Sequence, residues 1–199
     1  MTADRGWLVA IEGIDQAGKK TQSQLLAKHL RRSGYSVSVW EFPDYSTRLG
    51  KQLKSYLVGR DRLDLHAVHL LYSANRWEVA EKLQREISKG TSVVVNRYWP
   101  SNLAYGIAHG LSSKWLASLD DGLPKPDLVI ILDIPPHKSL ERKRKGRDVH
   151  EGNLVYLRNV RNKYLQLARK YHWIIVNGAR DTKTVQSEVR DVVTRRLGQ

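Results

Sequence analysis

The chain is 199 residues long, 41% hydrophobic and 27% charged, which sets the expectation of one soluble globular domain, residues 1–199, with a sizeable core. It contains no cysteine, which excludes a disulfide framework and any thiolate metal centre; no apolar run approaches membrane-spanning length. A formal net charge of +14 calls for an anionic partner. The excess is concentrated in residues 138–170, around Glu141-Arg142-Lys143-Arg144-Lys145-Gly146-Arg147. So small a basic segment suits nucleotide phosphates better than a long nucleic-acid track. A solvated helix face is its bland alternative. Met1 to Gly6 leads straight into an apolar run, so no signal peptide is expected, and a cytoplasmic location is the default.

Trp7-Leu8-Val9-Ala10-Ile11 reads as a buried parallel strand. Next, Gly13-Ile14-Asp15-Gln16-Ala17-Gly18-Lys19 fits the G-x-x-x-x-G-K phosphate loop. Its glycines let successive N–H groups turn inward around a phosphate, and the start of the following helix adds its positive dipole end. Lys19 is placed to reach the terminal phosphates. The following residue, normally a Ser or Thr that ligates Mg²⁺, is Lys20. Apolar residues at helical spacing continue to Leu30, and the helix should end at Ser33-Gly34.

Val37–Glu41 is the second predicted strand, with the loop Phe42-Pro43-Asp44-Tyr45-Ser46 at its C-terminal end. Open α/β sheets place ligands at that edge. Thr47 to Leu57 reads as a helix, and Leu63 to Lys89 holds two helical patterns. Tyr72 and Arg76 are four apart and share a face. They could stack on a base and bond its edge, or form a core tyrosine beside an ion-paired arginine. Ser92–Val95 is a central strand, running into the polar stretch Asn96 to Tyr105. Gly122 to Asp127 is a turn, Leu128–Asp133 strand four, Asn153 to Lys170 a helix, Trp173–Val176 strand five, and Asp181 to Arg196 the last helix. The alternation predicts an α/β fold, five parallel strands with helices on both faces.

Several runs agree in order along the chain: Glu12-Gly13-Ile14-Asp15 to Gln22, Phe42-Pro43, and Leu71 to Glu78 with its Ser-Ala-Asn-Arg-Trp-Glu core. Arg97-Tyr98, Ser101, Ala104-Tyr105, Leu123 to Asp127 and the arginine-rich segment follow. In these the sequence resembles the thymidylate kinase family of P-loop nucleoside monophosphate kinases. The resemblance implies a P-loop NTPase three-layer sandwich with a lid at about 138–152. It implies transfer of the γ-phosphoryl group of ATP, brought as Mg–ATP, to dTMP, in a homodimer without nucleic-acid or membrane partners. Gly13 to Lys19, with Lys20 and Thr21, would bind ATP; Asn177 to Arg180 would lie near adenine.

By the same resemblance Tyr72 stacks on thymine, Arg76 bonds its O4 edge and Asn102 faces N3. Tyr105 crowds the sugar, Asp15 takes the 3′-hydroxyl, and Arg97 and Tyr45 take the monophosphate. Pro43, Leu57 and Ser101 complete the dTMP site. The phosphate loop carries Gln16 where some members have an arginine, so Arg142 or Arg147 of the lid, with Arg144 third, should supply it alongside Lys19 and Arg97. Two positions depart from the pattern: Lys20, and Asn96 where an Asp usually precedes Arg97. No conventional metal ligand is left, only Glu12 or Asp15 nearby. Two outcomes are open: a raised Mg²⁺ requirement, with Lys20 taking over part of the metal's charge, or a metal that simply arrives as Mg–ATP, held by phosphates and waters. The competing expectations are a relaxed kinase that also accepts dUMP, and a degenerate nucleotide-binding protein with little turnover.

Overall fold

A computed structural model describes residues 5–142 and 153–197. Its five strands are β1 (Leu8–Glu12), β2 (Val37–Glu41), β3 (Ser92–Asn96), β4 (Leu128–Asp133) and β5 (Ile174–Asn177). They form one parallel sheet in the order β2-β3-β1-β4-β5. Every residue of β1 and β3 is buried, as continuous apolar runs require when both sheet faces are covered. β1 lies at the centre, so the loop leaving its C-terminal end emerges where the chain changes direction across the sheet. That is the position at which such sheets bind ligands.

The helices are α1 (Lys19–Arg32), α2 (Arg48–Leu57), α3 (Leu65–Trp77), α4 (Ala80–Ser88), α5 (Trp99–Ala108), α6 (Ser113–Leu119), α7 (Pro136–Arg142), α8 (Leu154–Tyr171) and α9 (Thr182–Leu197). α1 packs with α9, and α5 packs with α8. Right-handed crossovers place these two pairs on opposite faces of the sheet. α1 presents Ser23, Leu26, Ala27 and Leu30 to the core at helical spacing. It stops at Ser33, and Gly34 follows at φ 90°, a left-handed conformation that glycine adopts without penalty.

Three helices, α5, α6 and α7, are absent from the sequence reading. The stretch after Asn96, read there only as polar groups for binding, becomes α5. Pro100 occupies its first turn, where a missing N–H costs nothing. α6 has seven residues, too few for a periodic signal, and is marked only by the Ser112 side chain accepting from Trp115 N–H. The basic segment begins as a helix, α7; residues 143–152, which include Arg144 and Arg147, lie outside the described residues.

The loop between β2 and α2 is held by one buried side chain. Asn75 of α3 accepts from Asp44 N–H at 2.8 Å and donates to Asp44 O at 3.2 Å and to Thr47 Oγ1 at 2.8 Å. Thr47 Oγ1 in turn accepts from Gly50 N–H at 3.0 Å and caps α2. α2 approaches this loop so closely that a Cβ on Gly50 would lie 1.7 Å from Asp44 O. An alanine inside a helix ordinarily gains about 1 kcal/mol over glycine. At Gly50 the overlap is with backbone, and overpacking costs roughly 1–3 kcal/mol. Gly50→Ala should therefore lower the urea midpoint; a raised midpoint would show that the loop gives way freely.

Candidate active site

The phosphate loop leaves β1 at Glu12 and re-enters structure at Lys19. Gly13 and Gly18 sit at φ 134° and 93°. A Cβ on Gly13 would stand 2.5 Å from Leu132 O, so glycine is required there on two counts. Lys19 is buried and its Nζ reaches back to Ile14 O at 2.7 Å, which holds the ammonium within the loop. The next side chain, Lys20, points elsewhere and pairs with Glu41 at the end of β2, 3.0 Å away. Thr21 is exposed on the first turn of α1.

Arg142, the last residue of α7, donates to Gln16 O at 3.0 Å and to Gly178 O at 3.2 Å. It therefore ties the phosphate loop to the loop after β5, in which Asn177 to Arg180 were expected beside adenine. The two loops are in close contact: a Cβ on Gly178 would meet Ala17 O at 3.4 Å.

Next to the loop lies a buried charged cluster. Arg97 takes a left-handed conformation, φ 63°, at the end of β3. Its guanidinium pairs with Asp15 and donates to Ser101 Oγ at 3.1 Å and Tyr105 OH at 3.2 Å. Tyr105 OH donates to the second Asp15 oxygen at 2.7 Å. Burial by itself would raise the Asp15 carboxyl. Arg97 and Lys19, with the Tyr105 hydroxyl, outweigh it and hold the carboxyl down at about 2. Burial pushes the Tyr105 hydroxyl well up, so it stays protonated and a donor.

Glu12 lies beneath this cluster, fully buried. It accepts from Tyr98 N–H at 2.7 Å, Ser101 Oγ at 2.6 Å and Tyr164 OH at 3.0 Å. Burial raises its pKa despite those donors and Arg97. Both its oxygens face protein donors rather than the mouth of the loop. Of the two carboxylates expected near a metal, only Asp15 therefore borders open space. No group of three or more His, Asp or Glu side chains suited to a metal occurs among the described residues.

A cavity opens on the other side of Asp15. Asp15, Pro43, Tyr45, Leu57 and Tyr72 line it together with Arg76, Arg97, Ser101, Asn102 and Tyr105. These ten come from five separate stretches of chain, and the fold brings all of them to one cavity. Arg76 is buried and bidentate to Asp120, with Nε to Oδ1 at 3.0 Å and Nη2 to Oδ2 at 2.8 Å. The ion-paired arginine is thus the geometry seen, within the wall of the cavity. Asn102 is also engaged: its Oδ1 is 2.6 Å from His69 Nδ1, and its Nδ2 donates to His69 O at 3.2 Å.

Phe42, His69, Tyr98 and His109 also line the cavity and were not foreseen. His69 sits three residues before Tyr72 on α3 and so shares its face, a signal that was present. His109 caps α5, a helix the sequence did not announce.

A phosphate loop on the central strand, a basic helix end against it and a cavity beside it that shares Asp15 are the features of a P-loop protein. The thymidylate kinase family model matches residues 11–189. The thymidylate kinase of Danio rerio is 35% identical over 195 residues, covering 96% of this chain and 92% of that protein. The human thymidylate kinase is 36% identical over 193 residues, with coverages of 96% and 91%. The solved thymidylate kinase of Candida albicans superposes with a TM-score of 0.86 at 30% identity, covering 96% of this chain and 92% of that one. This chain belongs to the thymidylate kinase family.

The Asp15 carboxyl has a pH signature. Its folded value of about 2 lies below its ordinary 3.8. Ionised Asp15 thus contributes stability above 3.8, on the order of 2 kcal/mol, that is lost as pH falls through about 2. Asp15→Asn should be less stable than the parent at neutral pH, and the gap should narrow steadily below pH 4. Urea denaturation of both proteins across that range measures it; a gap independent of pH would mean that Asp15 is not the titrating partner of Arg97.

Proposed function

We propose that this chain transfers the γ-phosphoryl group of ATP to dTMP, giving ADP and dTDP. The observation that carries the reading is the convergence of ten dispersed side chains on one cavity that shares Asp15 with the phosphate loop. Phosphoryl transfer needs little covalent help from the protein; it needs the two nucleotides positioned and the transferring charge stabilised. Lys19 and the loop N–H groups take the ATP phosphates. Arg97 stands between the loop and the cavity and takes the acceptor phosphate with Tyr45. Arg142 supplies positive charge from the end of α7 and is the candidate for the arginine that closes over the reacting group.

On the acceptor side, Tyr72 stacks on thymine and Asp15 receives the sugar hydroxyl. Arg76 enters its bonds to Asp120 through Nε and Nη2, and its Nη1 would serve the base edge. Magnesium would arrive with ATP and neutralise charge on the β- and γ-phosphates. The donor set suits that mode of binding. Mg²⁺ keeps several waters, and this sheet edge offers acceptors for them, including the buried Asn96 Oδ1, which has no donor among the described residues. A homodimer belongs to the same reading, with light scattering after size exclusion as its measurement. No helix among the described residues is long and apolar enough to cross a membrane.

The direct test is ADP release with dTMP, dUMP and other monophosphates as acceptors, with the diphosphate product identified by chromatography. dTMP should give the highest kcat/KM. A methyl group is worth only about 1–3 kcal/mol, so dUMP should be poorer yet measurable. Binding of both nucleotides without ADP release would overturn the reading and leave a nucleotide-binding protein. Tyr72 is the cleaner test of the base site, because removing Arg76 would strand the buried Asp120 charge. Tyr72→Ala should weaken dTMP by roughly 1–3 kcal/mol and leave ATP affinity as it was; equal calorimetric losses for both would make Tyr72 structural. Arg142→Ala should lower kcat far more than it raises KM for dTMP. An unchanged kcat would pass the role to another arginine.

A further inference from the structure

The two departures from the family pattern meet at a third residue. Glu41 and Asn96 are register partners at the C-terminal ends of β2 and β3. Asn96 Nδ2 donates to Glu41 Oε1 at 2.9 Å, and Lys20 Nζ lies 3.0 Å from Glu41 Oε2. The orientation of the Asn96 amide is fixed by this bond, since turning it over would set oxygen against carboxylate. Its Oδ1 is then a buried acceptor with no donor among the described residues. An acceptor left so is costly unless water or a ligand supplies a hydrogen.

Taken singly, Lys20 and Asn96 both weaken the hold on a cation. With Glu41 included, the balance changes. A carboxylate is present at this edge after all, one strand away from its usual place. It is half exposed, at 49%, and among the described residues its partner Lys20 is held by an exposed ion pair, which is weak and easily broken. We propose that Glu41 and Asn96 Oδ1 form an outer-sphere acceptor site for the waters of nucleotide-bound Mg²⁺, with Lys20 as the counterion of Glu41 until the metal arrives. Waters on Mg²⁺ are strong donors, and both oxygens can accept from them. With no hydroxyl at position 20, the protein grips the water shell rather than the ion. The assignment rests on the phosphotransferase reading, which supplies the Mg–ATP.

The test is calorimetric titration of the full chain with a non-hydrolysable ATP analogue, in Mg²⁺ and in EDTA. Outer-shell partners change metal affinity by roughly 10–100-fold. The wild type should bind the analogue more tightly in Mg²⁺. Glu41→Gln should shrink that advantage by on the order of tenfold while leaving the EDTA affinity and dTMP binding as they were. Asn96→Ala should act in the same direction, and Lys20→Ala should enlarge the advantage. An unaltered Mg²⁺ advantage in Glu41→Gln overturns the assignment. Equal weakening in both buffers also overturns it and makes Glu41 a structural clamp. If the wild type binds no analogue in either buffer, the phosphotransferase reading falls as well.

Discussion

Everything at the open edge of this sheet depends on the ion pair between Asp15 and Arg97. The two charges are mostly withdrawn from water, at 18% and 16% side-chain exposure. Such burial is tolerable only because each is bonded several times over. Arg97 also donates to Ser101 and Tyr105, and Tyr105 bonds Asp15 in turn. Asp15 lies in the phosphate loop and Arg97 at the end of β3, so the pair fixes the loop against the neighbouring strand. It also forms the boundary between the phosphate loop and the cavity. A rigid boundary matters for phosphoryl transfer, where placing the partners is most of the catalysis.

Glu12 supports that boundary from below. Its oxygens gather Tyr98 N–H, Ser101 and Tyr164, which brings α5 and α8 to the base of the cluster. The carboxylate is thus a joint between the first strand and two helices from much later in the chain. The raised pKa records how completely it has been taken from water. Two carboxylates three residues apart are therefore shifted in opposite directions: adjacent cations hold the Asp15 carboxyl below its ordinary value, whereas burial raises that of Glu12.

The sheet was legible because β1, β3 and β4 are nearly continuous apolar runs and β2 and β5 are short segments rich in β-branched residues. Val37–Glu41 and Leu128–Asp133 agree with the observed bounds, and the other strands are displaced by about one residue. The phosphate loop was legible because glycine, lysine and flanking elements constrain one another. α5 and α6 were not: one begins with a proline beside polar residues, and the other is barely two turns long. The ten cavity residues were gathered by resemblance, not by spacing, since they come together only through the fold. Asp120, Glu41 and His109 had no local signal at all. Each matters through a partner distant in sequence: Arg76, Asn96 and His69 respectively. A single chain read in one dimension does not show such pairs.

Arg142 touches the two loops only through the backbone carbonyls of Gln16 and Gly178. A carbonyl is the same acceptor whatever side chain its residue bears. Sequence drift at position 16 can therefore recolour the loop without breaking this contact, provided the loop keeps its path. The bridge thus depends on one side chain at the end of α7 and on the path of two turns, and not on the side chains those turns carry.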